Sequence, residues 1–235
     1  MSSYSCRKSS DLSFCHRSVI SMSRCHRLVT CHADRMTIEA LLQTEVQYVT
    51  DAGDPVVTSL RLLDGDRALH GLPVRKIWSH KGQTHYPGFF WSDTTGRHVE
   101  YESRMELDRM WLADFDRDVH WIAAQPLWFC GRDGEALRRH APDLLLGTRS
   151  GGFTLVDVKP QAFAGRPEVR AVFDWTARLC DAKGWRYEVW TGAGPVYLAN
   201  VRWLGGAPRR GRVDRGARGS TRRVDDHRAV RGRLT

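Results

Sequence analysis

Residues 139–160, RHAPDLLLGTRSGGFTLVDVKP, decide the fold. Leu144–Leu146 form a short apolar run, Arg149-Ser150-Gly151-Gly152 is a polar turn with two glycines, and Phe153–Lys159 is a second extended run closed by Pro160. This is the pattern of a β-hairpin. Side chains alternate along a strand, so Asp157 and Lys159 share one face while Val156 and Val158 turn toward the core. Asp143 begins the first strand. Charged groups on an otherwise apolar strand are costly unless paired or bound to a cation, which argues that they are used. Spacing alone leaves the plainer alternative open: Asp143 as a turn residue and Asp157–Lys159 as a surface ion pair.

Toward the N-terminus, Glu102–Asp114 read as a helix with Ser103 as N-cap and Glu106 at the capping-box offset. Strands are expected at Val119–Ala123 and Leu127–Cys130, with a GRDG turn at 131–134 and a strand to His140. Before the helix, Tyr86–Trp91 and His98–Tyr101 flank a polar turn and read as another hairpin. Farther out, Val56–Leu63 and Leu72–Trp78 read as strands, and TIEALLQTEVQ (37–47) as a short helix. Toward the C-terminus, Pro167–Lys183 is a helix with proline in its first turn and Gly184 just past its end. Strands at Trp185–Trp190 and Val196–Trp203 complete the prediction. The fold class is α/β, a mixed central sheet flanked by helices.

Of the 235 residues, 41% are hydrophobic and 27% charged, which is ordinary for a globular chain, and no apolar run reaches membrane-spanning length. The formal net charge of +9 is unevenly placed: residues 1–35 carry +4 and residues 205–235 carry +7, leaving 36–204 at −2. The expected organisation is therefore one domain over 36–204 between two flanks of low complexity. Residues 1–35 read as disordered or as an over-extended gene start, with Met36 the true start, and 205–235 as an Arg/Gly-rich disordered tail. Four of the six cysteines lie in the first flank without CxxC spacing, which speaks against zinc, and the lack of a secretory signal points to a reducing, cytoplasmic setting.

A near-neutral body that presents several carboxylates cannot approach a phosphate polyanion without a cation. Asp143, Asp157, Glu106 and the backbone carbonyl of Val158 could supply hard oxygen ligands to magnesium. Lys159 could orient or deprotonate a water and stabilise developing negative charge. Arg138, Arg139 and His140 adjoin Asp143 and could touch phosphate, as could Gln125, although a loop amide bonding its own backbone is the commoner case. Asp114-Phe115-Asp116-Arg117-Asp118 mimics the start of a calcium loop but lacks its glycine and its closing glutamate. Trp91, Trp111, Trp121 and Trp175 read as core.

ESRMELDRM at 102–110, DFDRDV at 114–119 followed by Gln125-Pro126, RRHAPDLLL at 138–146 and VDVKP at 156–160 occur in this order. Together they resemble the TnsA-like endonuclease subunits of heteromeric transposases, in the PD-(D/E)xK nuclease superfamily. The resemblance runs through Tyr86–Pro160 and extends weakly to NVRW at 200–203, covering roughly residues 55–204. It implies a restriction-endonuclease-like core with Glu106, Asp143 and Lys159 as the active site, Asp157 filling a slot where the founding type has glutamine, and Glu102 as the rival should the helix register differ. It also implies magnesium, replaceable by manganese, and DNA transposon ends as substrate. The implied partners are a TnsB-like DDE transposase cutting the 3′ ends while this subunit cuts the 5′ ends, and a TnsC-like ATPase regulator. Where the founding type carries a second domain for contacting the regulator, the expectation here is an Arg-rich tail, a departure from that pattern. Two other readings stand beside this one: a non-catalytic DNA-binding or assembly subunit of the same fold, and a stand-alone restriction or repair nuclease.

Overall fold

The computed structural model describes residues 37–75 and 86–205. The expectations for 1–35 and for the tail beyond Gly205 lie outside the described residues, and of the strand expected over 72–78 the described residues 72–75 form only an isolated bridge at Leu72 followed by bends. The first element is α1 (Ile38–Leu42), capped by Thr37, whose hydroxyl accepts the Ala40 N–H. The helix expected over 37–47 divides here. From Thr44 to Thr50 burial alternates with period two, and that stretch becomes β1 (Glu45–Val49). β2 (Pro55–Ser59) returns antiparallel to it and stops short of Leu63, because Leu60 and Leu63 leave the strand to enter the core. α2 (Gly65–His70) follows, with Asp64 as its cap. At Gly71 a β-carbon would lie 2.1 Å from the Val49 carbonyl oxygen, so only glycine lets Leu72 bridge to Val49.

β3 (Gly88–Ser92) and β4 (Arg97–Tyr101) form the expected hairpin, followed by α3 (Arg104–Phe115) with Ser103 as N-cap. Asp114, in the stretch that mimics a calcium loop, is buried, and its carboxylate accepts the Ser92 hydroxyl at 2.7 Å and the Thr94 N–H at 2.9 Å. It thereby ties the helix to the hairpin turn. β5 (Val119–Ala124), β6 (Trp128–Asp133), β7 (Ala136–His140), β8 (Leu144–Thr148) and β9 (Phe153–Val158) come next. The turn expected at 131–134 is displaced, because β6 continues through Asp133 and the reversal falls on Gly134, at φ +59°, and Glu135.

After a short α4 (Gln161–Ala164), α5 runs over the predicted Pro167–Lys183 and ends at Gly184 in the left-handed conformation, φ +78°. β10 (Arg186–Trp190) is the last strand. The strand expected at 196–203 is instead α6 (Pro195–Gly205). Pro195 suits the first turn of a helix, and the buried Leu198, Val201 and Gly205 recur at intervals of three and four.

The strands form an antiparallel sheet of order β2-β1-β6-β7, a mixed sheet of order β10-β9-β8-β5, and the separate β3-β4 hairpin. Only β10 and β9 are parallel within the mixed sheet. One core gathers Val46, Phe129, Leu145 and Leu155 from both large sheets around Trp175, Leu179 and Cys180 of α5. On the other face of the mixed sheet, Leu144, Leu146, Val156 and Val158 pack with Met110 and Ala113 of α3 and with Phe90 and Val99 of the hairpin. Burial on both faces explains why β8 is an unbroken apolar run. Trp175 is core as predicted, whereas Trp91 is 40% exposed. Cys130 and Cys180 are free thiols, and no helix among the described residues is long and apolar enough to cross a membrane.

Trp175 is fully buried and meets Phe129 edge-on, with ring centroids 6.4 Å apart, so one side chain joins helix and sheet. Trp175→Ala is expected to lower unfolding free energy by about 3–5 kcal/mol, read as a shifted urea midpoint with unchanged slope.

Candidate active site

Two strand ends and a helix start build the site. Asp143 sits just before β8, held by its backbone on both sides: its N–H donates to the Val156 carbonyl at 3.1 Å and its carbonyl accepts the Gln125 N–H at 2.8 Å. Its carboxylate turns across the hairpin to accept the Val158 N–H at 2.6 Å. β9 carries Asp157 and delivers Lys159, whose N–H donates to the Trp190 carbonyl. Glu106 comes from the first turn of α3. Glu106, Asp143, Asp157, Val158 and Lys159 all line one open cavity of about 960 Å³, together with Arg139 and His140.

These groups are unequally committed to the protein. Glu106 forms a variant of the expected capping box: Ser103 accepts the Glu106 N–H as expected, but in return one Glu106 oxygen accepts the Ser103 hydroxyl at 2.7 Å and the other accepts the N–H of Glu102, one residue before the cap, at 2.8 Å. Glu102, the rival position, pairs with Arg75 at 3.1 Å and lines the same cavity. Asp157 is only 2% exposed. His140 Nε2 lies 2.9 Å from both of its oxygens, and the Tyr187 hydroxyl donates to one of them. The surface ion pair with Lys159 is therefore not what forms. Lys159 makes no side-chain hydrogen bond or ion pair among the described residues.

Burial, followed by the facing carboxylates of Asp157 and Glu106, pushes Asp143 up to about 8. Burial also raises Glu106, against the hydrogen bonds from Glu102 and Ser103. Tyr187 is driven upward by burial and by the Asp157 charge, so it remains a protonated donor.

The residues expected to touch phosphate separate. Arg138 is turned away from the cavity and bonds Asp133 at 2.6 Å, which also engages Arg178 of α5. Arg139, on the opposite face of β7, lies over the Trp128 ring at 4.1 Å. His140 is held against Asp157. Gln125 is fully buried with φ +44°, and neither atom of its amide has a hydrogen-bond partner among the described residues. A left-handed glutamine is strained, and here the strain places its N–H on the Asp143 carbonyl. Tyr187, Arg75, Arg104, Tyr86 and Trp128 were not singled out by sequence reasoning. Nothing local marks Tyr187, whose contact with Asp157 spans 30 residues.

The donor chemistry suits a hard divalent cation, because Asp143 faces two further carboxylates whose repulsion a cation would relieve. The ligands are not gathered into a ready shell. Among the described residues no three His, Cys, Asp or Glu side chains form a metal-holding group. No protein-family model and no curated protein matches the sequence.

Asp143 titrates above its ordinary range, so its protonated form favours the folded state. That contribution is present below about pH 4 and is lost as the pH rises through about 8. Asp143→Asn, which can still accept the Val158 N–H, is expected to raise the melting temperature at pH 8.5 in chelator by about 4 °C or more and to change it much less at pH 5. Equal shifts at both pH values would refute the burial and carboxylate repulsion that raise Asp143. For Gln125, methionine fills a similar volume without polar atoms. Gln125→Met is expected to keep or raise stability, by up to about 1–3 kcal/mol, and a clear fall in the urea midpoint would show that the amide is bonded.

Proposed function

We propose that this chain is a metal-dependent DNA endonuclease of the PD-(D/E)xK type, acting as a TnsA-like subunit that cuts the 5′ ends of a transposon during excision. The observation that carries the reading is the convergence on one open cavity of Glu106 from a helix, Asp143 and Asp157 from a hairpin, and the Lys159 ammonium, which makes no ion pair among the described residues. Magnesium, replaceable by manganese, is the cation proposed. When bound it would polarise the phosphodiester and make a water more acidic. Asp143 would be its anchoring ligand, helped by the Val158 carbonyl and by Glu106 or Asp157, each of which already accepts hydrogen bonds from protein donors.

Lys159 then has two tasks open to it: orienting the attacking water and balancing charge at the scissile phosphate. Gln125 and Val158 hold Asp143 by its carbonyl and its carboxylate, so that it need not reorganise. The partners in this reading are transposon-end DNA, a TnsB-like DDE transposase and a TnsC-like ATPase regulator.

A second reading is a non-catalytic DNA-binding or assembly subunit. It is favoured by the engagement of both Glu106 oxygens and both Asp157 oxygens within the protein and by the lack of a gathered metal group among the described residues. The deciding experiment follows strand-specific cleavage of an end-labelled transposon end with the partner transposase present. Wild type is expected to cut the 5′ strand in magnesium or manganese, and Asp143→Ala and Lys159→Ala to lose about a hundredfold or more of that rate while 3′ cutting persists. Undiminished 5′ cutting by both variants would overturn the catalytic reading.

A further inference from the structure

Above the acidic floor of the cavity, the rim is cationic and aromatic. Arg75, Arg104, Arg139, Tyr86 and Trp128 all line it. The Arg139 guanidinium lies over the Trp128 ring at 4.1 Å, with Arg75 over the same ring at 5.8 Å, and Arg104 lies over Tyr86 at 4.6 Å. Arg75 is paired with Glu102 at 3.1 Å. Arg104 and Arg139 are exposed and make no ion pair among the described residues.

A guanidinium resting on a ring uses its flat face, and its N–H groups stay in the plane, free for a second partner. The ring also limits the orientations the side chain can take, so less freedom is lost when a ligand binds. Such a planar fork matches the two oxygens of a phosphate. A small lone anion over this floor would meet the Glu106 and Asp143 carboxylates. A polymer with repeated phosphates can place one group on the floor and its neighbours on the rim.

We infer that Arg104 and Arg139, each laid on an aromatic shelf, grip backbone phosphates of a nucleic-acid strand lying across the cavity, with Trp128 and Tyr86 as positioning residues. Arg138, committed to Asp133, takes no part. This inference rests on the reading of the cavity as a DNA-cleaving site, and it names the side chains that hold the strand there.

The test is equilibrium binding of the full chain, in the cleavage-deficient Asp143→Asn background, to a fluorescein-labelled duplex of random sequence across a potassium chloride series. Arg104→Ala and Arg139→Ala are each expected to reduce the slope of log affinity against log salt by about 1, whereas Arg138→Ala leaves it unchanged. Arg104→Lys and Arg139→Lys retain the charge and are expected to restore the slope with only part of the affinity. Trp128→Leu is expected to weaken binding about threefold to tenfold with the slope intact. If both alanine variants bind with the parental slope, the inference falls, and 5′ cleavage by the wild type would still leave the nuclease reading standing. If the parental chain binds no duplex at any salt concentration, both fall.

Discussion

The Asp157 carboxylate, closed in beneath the cavity, is the interaction on which the site's architecture depends. A carboxyl group at 2% exposure is costly unless its oxygens are satisfied, and here both are. The two donors come from different sheets: His140 ends β7, an edge of the antiparallel sheet, and Tyr187 lies on β10, an edge of the mixed sheet. One side chain of β9 therefore ties the edges of both sheets together. Arg139 is the residue before His140, and Lys159 lies two residues beyond Asp157, so the same tie sets where the rim arginine and the lysine ammonium stand.

Around this fixed point the local rules of stability are strained in a consistent direction. Burial, and then the two neighbouring carboxylates, push Asp143 up to about 8, which costs folding free energy near neutral pH. Gln125 adopts a left-handed backbone and buries beside it an amide with no partner among the described residues. Exposed arginines lie on aromatic rings and make no ion pair among the described residues. Each departure is a modest cost, and a cluster of them along one cavity is where binding or chemistry is to be sought. Glu106 shows the opposite tendency, since the capping box that makes it a good helix start also occupies both of its oxygens.

Much of the hairpin architecture was legible because its causes are local. The Ser103 cap with Glu106, the Gly151-Gly152 reversal, and the Pro167 start and Gly184 stop of α5 each depend on the conformational limits of a few neighbouring residues. The errors fell where apolar residues permit either period. Val196–Trp203 was expected as a strand, yet burial of Leu198 and Val201 against the rest of the fold selects the helix. TIEALLQTEVQ contains both periods in turn, and only packing decides where one gives way to the other.

For the site, the chain order by itself pointed to Asp157 and Lys159 two apart where one strand ends, to Asp143 where its partner begins, and to Glu106 in a helix's first turn. It also singled out Arg139, His140 and Gln125 as worth attention. Tertiary structure alone decided that Arg138 turns away while Arg139 faces the cavity, that Asp157 bonds His140 and Tyr187 rather than Lys159, and that Arg104 and Tyr86 join the rim. The physical reason is distance along the chain. Caps and turns are settled within a few residues, whereas charge pairing in the folded state is settled by which faces the two sheets and α3 turn toward the same space.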